Sequence, residues 1–128
     1  MKYINHKIAA LILLFISACS NADKPSLIEQ AELLSRIDDG SAPLIVDVRT
    51  IAEYESGHVP GAVNIPFGNY QQSLADLGLE KNREIVVYCE TGGRAKKVEQ
   101  HLRHQGFFEI RHLDGDMRAW RKAQLKTE

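Results

Sequence analysis

The chain has 128 residues, a length that suits one domain and is short for two. Hydrophobic residues make up 44% and charged residues 26%, as in a folded globular protein, and the formal net charge of −1 gives no indication of nucleic-acid binding. Residues 94–126 are locally basic, with nine basic against four acidic side chains. We interpret most of these charges as solvated helix faces; the alternative is a local field that favours small anions.

The first residues have the pattern of an export signal. Lys2 and Lys7 precede an apolar run, residues 8–16, which is too short to span a bilayer. Small residues follow this run, so we predict a signal peptide over residues 1–18 rather than a retained membrane anchor.

The signal ends in "ISAC", residues 16–19, which resembles the lipobox of bacterial lipoproteins. The resemblance implies lipidation of Cys19, a tether over residues 19–25 and, because Ser20 follows instead of aspartate, the outer membrane. Cleavage after Ala22, in "SNA", is the alternative. Either route predicts an exported protein of the periplasm or cell envelope. Contact with a membrane is expected only in the lipidated form, through Cys19.

A helix is predicted over residues 26–39, at the start of the mature domain. Ser26 and Glu29 have the spacing of a capping box, and Gly40 is a stop signal. The expected apolar face has four residues at helical spacing: Leu27, Ala31, Leu34 and Ile37. The next run, residues 44–48, is typical of a buried parallel strand.

The middle of the chain alternates short elements. Thr50 and Glu53 repeat the capping pattern over a short helix that Gly57 ends. Residues 58–66 predict a turn and a short strand, residues 69–79 a helix, and residues 85–88 a second buried strand.

The last third predicts a helix, a strand and a helix. The first helix runs from about Arg94 to Gln105 with Ala95, Val98 and Leu102 on one face, followed by a strand over residues 107–113 and a helix over residues 114–125. This alternation predicts one α/β domain, residues 26–126, with a mostly parallel central sheet flanked by helices. Ligands of such sheets bind at the carboxyl ends of the strands, where Cys89 lies.

The stretch "YCETGGRA", residues 88–95, places a cysteine before a glycine-rich turn. If Cys19 is lipidated, Cys89 is the only thiol left and has no disulfide partner in the chain. Glycines allow backbone N–H groups to point inward, and the following helix adds its positive end. Such a turn favours a thiolate and binds an anionic group beside it. The alternative is a buried structural cysteine before an ordinary turn.

Three segments in order resemble the rhodanese family of sulfurtransferases: "VDVRTIAEYESGHVPGAVNIP" (46–66), "VVYCETGGRA" (86–95) and "LRHQGFFEIRHLDGDMRAW" (102–120). The match runs over most of the mature chain. In size and in having a single domain, the chain resembles the small single-domain members of the family. It implies that a sulfane sulfur, typically from thiosulfate, passes to the cysteine as a persulfide. A thiophilic acceptor, cyanide or a thiol, then removes it. No metal or other cofactor is implied.

The resemblance also implies residue roles. Cys89 is the nucleophile, the amides of residues 90–94 hold the persulfide, and Arg94 closes the loop and faces the anionic donor. The substrate-binding loop would therefore comprise Glu90, Thr91, Gly92 and Gly93. We expect Asp47, Arg49 and His58 to brace neighbouring loops rather than to bind substrate or act as a base. His101 and His104 share a helix but lack a third ligand, so no metal site is predicted.

Three positions depart from the family pattern. Glu90 stands where a basic residue is frequent in thiosulfate-using members, and Ala95 where serine is frequent. Asp116 replaces the second glycine of a pair, which we interpret as a tolerated turn variant. A carboxylate at Glu90 should repel a dianionic donor, so Glu90→Lys is expected to raise activity toward thiosulfate.

Two other functions stay open. Phosphatases and arsenate reductases on this fold use Cys-x5-Arg, whereas this chain has Cys-x4-Arg, which favours sulfur over a tetrahedral oxyanion. A non-enzymatic sulfur carrier or partner-binding module is the other alternative.

Overall fold

The computed structural model describes residues 26–128, so the predicted signal peptide, the lipidation at Cys19 and the tether lie outside the described residues. Five strands form one sheet: β1 (Leu27–Ile28), β2 (Leu44–Asp47), β3 (Val63–Asn64), β4 (Ile85–Tyr88) and β5 (Ile110–Leu113). Five α-helices accompany them: α1 (Gln30–Asp38), α2 (Ile51–Glu55), α3 (Tyr70–Asp76), α4 (Gly93–His104) and α5 (Asp116–Lys122). A 3-10 turn, Phe67–Asn69, leads into α3.

The sheet has the strand order β1-β5-β4-β2-β3, and every pairing in it is parallel. The predicted α/β class, with a parallel central sheet flanked by helices, is therefore confirmed. Asp47 is the register partner of Tyr88, so β2 and β4 end level with each other. The residues that follow these two strands consequently emerge side by side at the carboxyl edge of the sheet.

Side chains alternate between two hydrophobic clusters on opposite faces of the sheet. Ile85, Val87 and Cys89 pack on the face that α3 and α4 cover, whereas Val86 and Tyr88 pack on the face of α1 and α5. This is the period of two that a strand imposes. Because helices cover both faces of the sheet, the sequence of β4 is an unbroken apolar run.

The predicted start of the first helix is wrong. Leu27 and Ile28 form the edge strand β1, and α1 begins at Gln30 without a side-chain cap at Glu29. The amides of His112 and Asp114 donate to the carbonyls of Ser26 and Ile28, at 2.7 and 2.9 Å. These bonds to a distant strand outweigh the local capping pattern at Ser26. The second capping box, Thr50 with Glu53, is confirmed.

The last two elements are shorter than predicted. Strand β5 begins only at Ile110, and α5 covers only Asp116–Lys122. Gly115 and Asp116 adopt positive φ, 75° and 56°, at the start of α5, and Gln124, with φ 54°, follows its end. The predicted buried face of α4, Ala95 with Val98 and Leu102, is confirmed. Across residues 26–128, none of the helices has the length and apolar character needed to cross a membrane.

Candidate active site

Cys89 leaves the end of β4 with its thiol buried beneath the following loop. The Gly92 amide donates a hydrogen bond to Cys89 Sγ at 3.0 Å. Gly92 has φ +109° and precedes the first turn of α4, a conformation that favours glycine. The loop thus curls around the sulfur at the positive end of a twelve-residue helix, where a sulfur anion is stabilised.

Arg94 lies at the rim of this loop and forms an ion pair with Glu53 of α2. Its two terminal nitrogens donate to the two Glu53 carboxylate oxygens at 2.8 and 3.1 Å. The hydrogen bonds to Glu53, helped by the Glu53 charge, outweigh the opposing effect of burial and raise the pKa of Arg94. Arg94 in turn lowers the pKa of Glu53 to about 2, helped by Thr50. Arg94 therefore joins the Cys89 loop to α2.

Glu90, Thr91 and Gly93 are other residues of the loop between Cys89 and Arg94. Thr91 and Gly93 are exposed, and Glu90 forms an ion pair with Arg121 of α5, with one contact at 3.2 Å. The Glu90 carboxylate also lies 3.6 Å from Arg49 Nη1. A lysine at position 90 would face these two arginines, so the geometry argues against the expected gain from Glu90→Lys.

Asp47 and Arg49 form a buried pair between β2 and the turns that follow it. Arg49 Nη2 donates to Asp47 Oδ2 and to the Gly57 carbonyl, both at 2.8 Å. Tyr88 Oη donates to the same Asp47 oxygen at 2.8 Å. Burial, together with the Asp47 charge, raises the pKa of Tyr88, so its hydroxyl stays protonated. These contacts tie β2, β4 and the Gly57 turn together.

His58 contacts Tyr54 of α2 and Glu128. Its ring stacks on Tyr54 with centroids 3.7 Å apart, and Nδ1 lies 2.9 Å from the Tyr54 carbonyl oxygen. Its backbone pairs with that of Glu128 in both directions. None of these contacts joins His58 to the Cys89 loop.

Asp116 was expected to be a tolerated turn variant, and this interpretation is incomplete. Its carboxylate is buried beneath the loop, where Oδ1 accepts a hydrogen bond from the Cys89 amide at 3.0 Å. Oδ2 lies 2.9 Å from His112 Nε2, and His112 Nδ1 lies 2.7 Å from Glu99 Oε2. The sequence signal was the replacement of a glycine by a charged residue at a turn next to the site.

Helix α5 also holds the loop through its backbone. The Met117 amide donates to the Cys89 carbonyl at 3.0 Å, and the Arg118 amide donates to the Glu90 carbonyl at 3.2 Å. Free amides of a first helical turn thus satisfy the loop carbonyls. Within residues 26–128, no group of three side chains is arranged to hold a metal ion, and His101 packs edge-on against Tyr70.

The profile of the rhodanese-like domain matches residues 29–123, from the start of α1 to the end of α5. The chain belongs to the rhodanese-like domain family. This rhodanese-like domain is similar in structure to the Alr3790 protein from Anabaena sp., with a TM-score of 0.71 and 32% identity. That match covers 79% of this chain and 81% of the Anabaena chain.

Two curated relatives carry a similar domain within longer proteins. The putative sulfur carrier protein YrkF of Bacillus subtilis is 34% identical over 66% of this chain and 45% of its own length. The HTH-type transcriptional regulator Rv0324 of Mycobacterium tuberculosis is 39% identical over 79% of this chain and 44% of its own length. The rhodanese-like domain described here thus spans less than half of either relative.

The arrangement is suited to nucleophilic chemistry at sulfur. A thiol sits at a helix N-terminus with one amide already directed at it, and a cation fixed by a carboxylate lies beside it. These groups stabilise negative charge at the nucleophile without having to reorganise during a reaction.

Proposed function

We propose that this rhodanese-like domain is a sulfurtransferase that carries a sulfane sulfur on Cys89 as a persulfide. The donor would be a small anion such as thiosulfate, and the acceptor a thiophile such as cyanide or a thiol. The observation that carries the proposal is the hydrogen bond from the Gly92 amide to Cys89 Sγ at the N-terminus of α4. This geometry would stabilise a sulfur anion at the carboxyl edge of the parallel sheet.

The reaction would proceed in two displacements. The Cys89 thiolate attacks the outer sulfur of thiosulfate; a new S–S bond forms, the old one breaks, and sulfite leaves with the electron pair. The acceptor then attacks the terminal sulfur of the persulfide, and the electrons of the Cys89 S–S bond return to Sγ as a thiolate. The Gly92 amide and the positive end of α4 stabilise the sulfur anion in each state.

A relay to a protein acceptor is the second candidate. The name of the similar putative sulfur carrier protein favours it, since that protein shares this domain. A phosphatase or arsenate reductase is less well supported, because four residues rather than five separate Cys89 from Arg94 and the family is the rhodanese-like one.

The test is a mass measurement on purified protein that has been mixed with thiosulfate and then separated from it. The protein should gain the mass of one sulfur atom, and cyanide should remove that sulfur as thiocyanate. Cys89→Ser should abolish both steps, whereas Cys19→Ser, a control on the other cysteine, should leave them intact. No gain with thiosulfate, 3-mercaptopyruvate or protein persulfides would refute the proposal, as would Cys89-dependent turnover of an aryl phosphate.

We also propose export to the cell envelope, which rests on the sequence of residues 1–19 alone. Metabolic labelling with a fatty acid tests the lipid anchor. A label that is lost in Cys19→Ser supports it, and an unlabelled wild-type protein refutes it.

A further inference from the structure

A buried chain of polar side chains runs from α4 through β5 to the underside of the active-site loop. Glu99 and Asp116 lie on either side of His112, and the far oxygen of Asp116 accepts the Cys89 amide. The three residues are 8%, 7% and 4% exposed. A catalytic cysteine therefore has its own backbone anchored by a side chain that belongs to a charged cluster.

The hydrogen-bond geometry fixes how many protons this cluster holds. Both ring nitrogens of His112 lie within 2.9 Å of carboxylate oxygens, which can only accept hydrogen bonds when ionised. Both contacts are satisfied when His112 is an imidazolium. Burial alone would lower the pKa of His112, but the hydrogen bonds from Asp116 and Glu99 outweigh it and raise that pKa to about 10. The cluster then has a net charge of −1.

Two other charged side chains lie beside this cluster. Lys96 and Asp114 line a surface cavity of about 370 Å³ together with the three cluster residues, and the loop contributes Gly92 to its wall. The Lys96 ammonium and the Asp114 carboxylate have opposite charges. Because the charges of Lys96 and Asp114 cancel, loss of the His112 proton makes the net charge beneath the loop more negative by one unit.

The cluster packs directly against the part of the loop that contacts sulfur. A Cβ added to Gly92 would lie 3.0 Å from Asp116 Oδ2 and 3.5 Å from His112 Nε2. Asp116 itself has φ 56°, a strained conformation for a residue with a side chain. Its hydrogen bonds to the Cys89 amide and to His112 offset this strain. The close packing of the cluster against Gly92 and the hydrogen bond from the Cys89 amide to Asp116 together hold the loop in one arrangement.

We propose that Asp116, His112 and Glu99 are positioning residues that keep the Cys89 loop shaped for an anion and limit the negative charge beneath it. The role rests on the proposed sulfur transfer, because it is the anionic donor and sulfur anion that the loop must accept. When His112 loses its proton at alkaline pH, two uncompensated carboxylates face the loop. Approach of an anion to Cys89 should then slow while approach of a neutral reagent should not.

The test uses the full chain with Cys19→Ser, so that Cys89 is its only thiol. Two rates are measured from pH 6 to 10.5: sulfur loading from thiosulfate, and alkylation of Cys89 by iodoacetate relative to iodoacetamide. The ratio of the two alkylation rates reports the preference of the site for an anion and does not depend on sulfur transfer. In the otherwise unchanged protein, both loading and the ratio should fall toward alkaline pH.

Three variants separate position from charge. Asp116→Gly removes the anchor and should slow loading at least about tenfold at neutral pH, since small misplacements at a reacting centre are costly. Asp116→Asn keeps an oxygen for the Cys89 amide and can donate to a neutral His112, so it should retain loading and lose the alkaline fall. Gln124→Gly is the matched control, because Gln124 is an exposed non-glycine residue with φ 54° and lies outside the cluster.

The outcomes are distinct. Wild-type rates and ratios at every pH in both Asp116 variants would overturn the positioning role. Absence of sulfur loading from every donor, with the alkylation ratio still dependent on Asp116 and pH, would refute sulfur transfer and leave the positioning role standing. If Asp116→Gly fails to fold, the pH profile of Asp116→Asn decides alone.

Discussion

At the scale of single residues, the arginines around Cys89 are paired with carboxylates. Arg94 is held by Glu53, Arg121 by Glu90, and Arg49 by Asp47. The proposed anionic donor would therefore approach cations that are already paired, and it would have to compete with these carboxylates. The half-buried Arg94–Glu53 pair and the more exposed Arg121–Glu90 pair should separate more readily than the buried Arg49–Asp47 pair, so Arg94 and Arg121 are the cations that can respond to a donor.

The first prediction concerns Arg94. Arg94→Ala should leave the Cys89 thiol in place but slow sulfur loading by about 100-fold, as removal of one preorganised donor commonly does. Stopped-flow measurement of persulfide formation tests this. Lys97→Ala, which removes an exposed cation from the same helix, is the control and should change little. Equal rates in both variants would show that Arg94 serves only to attach α2.

The second prediction concerns Glu90. Glu90→Gln releases Arg121 and Arg49 from its carboxylate, so kcat/KM for thiosulfate should rise by up to about fivefold, the range expected for one exposed ion pair. Glu90→Lys should give no such gain because its ammonium would face both arginines.

The salt dependence provides the check on that electrostatic account. The gain from Glu90→Gln should shrink as ionic strength rises, because salt screens interactions between exposed charges. Glu55→Gln neutralises an exposed carboxylate of α2 and is the control. A gain of the same size in the control, or one that persists at high salt, would contradict the role given to Glu90.

At the scale of elements, the capping box of α2 reaches the active site through Glu53. The Thr50 hydroxyl accepts from the Glu53 amide, and the Glu53 carboxylate accepts from the Thr50 amide while also holding Arg94. A single carboxylate therefore caps one helix and fixes a cation at the start of another. Local helix stability and the geometry of the site are coupled through it.

This coupling gives a third prediction. Thr50→Ala should lower the free energy of unfolding by about 1 kcal/mol, the usual cost of losing such a cap, and should also slow sulfur loading. Urea denaturation and persulfide formation measure the two effects. Ser73→Ala, which deletes a hydroxyl from α3 away from this cap, is the control and should not slow loading. Loading at the wild-type rate in Thr50→Ala would show that Glu53 holds Arg94 without help from the cap.

The elements that could be predicted are those that local sequence determines. Strand β4 is an unbroken apolar run, β2 is apolar up to its last residue, Asp47, and the buried face of α4 follows helical spacing. The two-residue strand β1 could not be predicted, because its register partners on β5, His112 and Leu113, are 85 residues away in the sequence. At Ser26 and Glu29 a local capping pattern was present, but pairing at the sheet edge was more favourable.

The same distinction holds for the site. Cys89, its glycine loop and Arg94 form one short motif, so the sequence alone brings them together. The anchor beneath the loop combines Glu99, His112 and Asp116 from three elements, and only the fold shows that they meet. The partner of Glu90 likewise lies 31 residues away, at Arg121, and this pairing argues against the gain in activity expected from Glu90→Lys.

At the scale of the whole molecule, stability should depend on pH through groups at this same edge of the sheet. The pKa of Glu53 is lowered from 4.5 to about 2, so its contribution is present above pH 4.5 and is lost as pH falls toward 2. The pKa of His112 is raised from 6.5 to about 10, so its contribution is full below pH 6.5 and is lost as pH rises toward 10.

The fourth prediction is therefore a plateau in the free energy of unfolding between about pH 4.5 and 6.5, with a decline on either side. Urea denaturation at a series of pH values measures it. Glu53→Gln should flatten part of the acid decline, and Asp116→Asn should flatten the alkaline one, because each removes the pairing that shifts a pKa. The variants are compared by the slope of the unfolding free energy against pH and not by its absolute value, because both variants also lose hydrogen bonds. A wild-type protein with constant stability from pH 6.5 to 10, or an unchanged alkaline slope in Asp116→Asn, would mean that His112 does not hold its extra proton beneath the Cys89 loop.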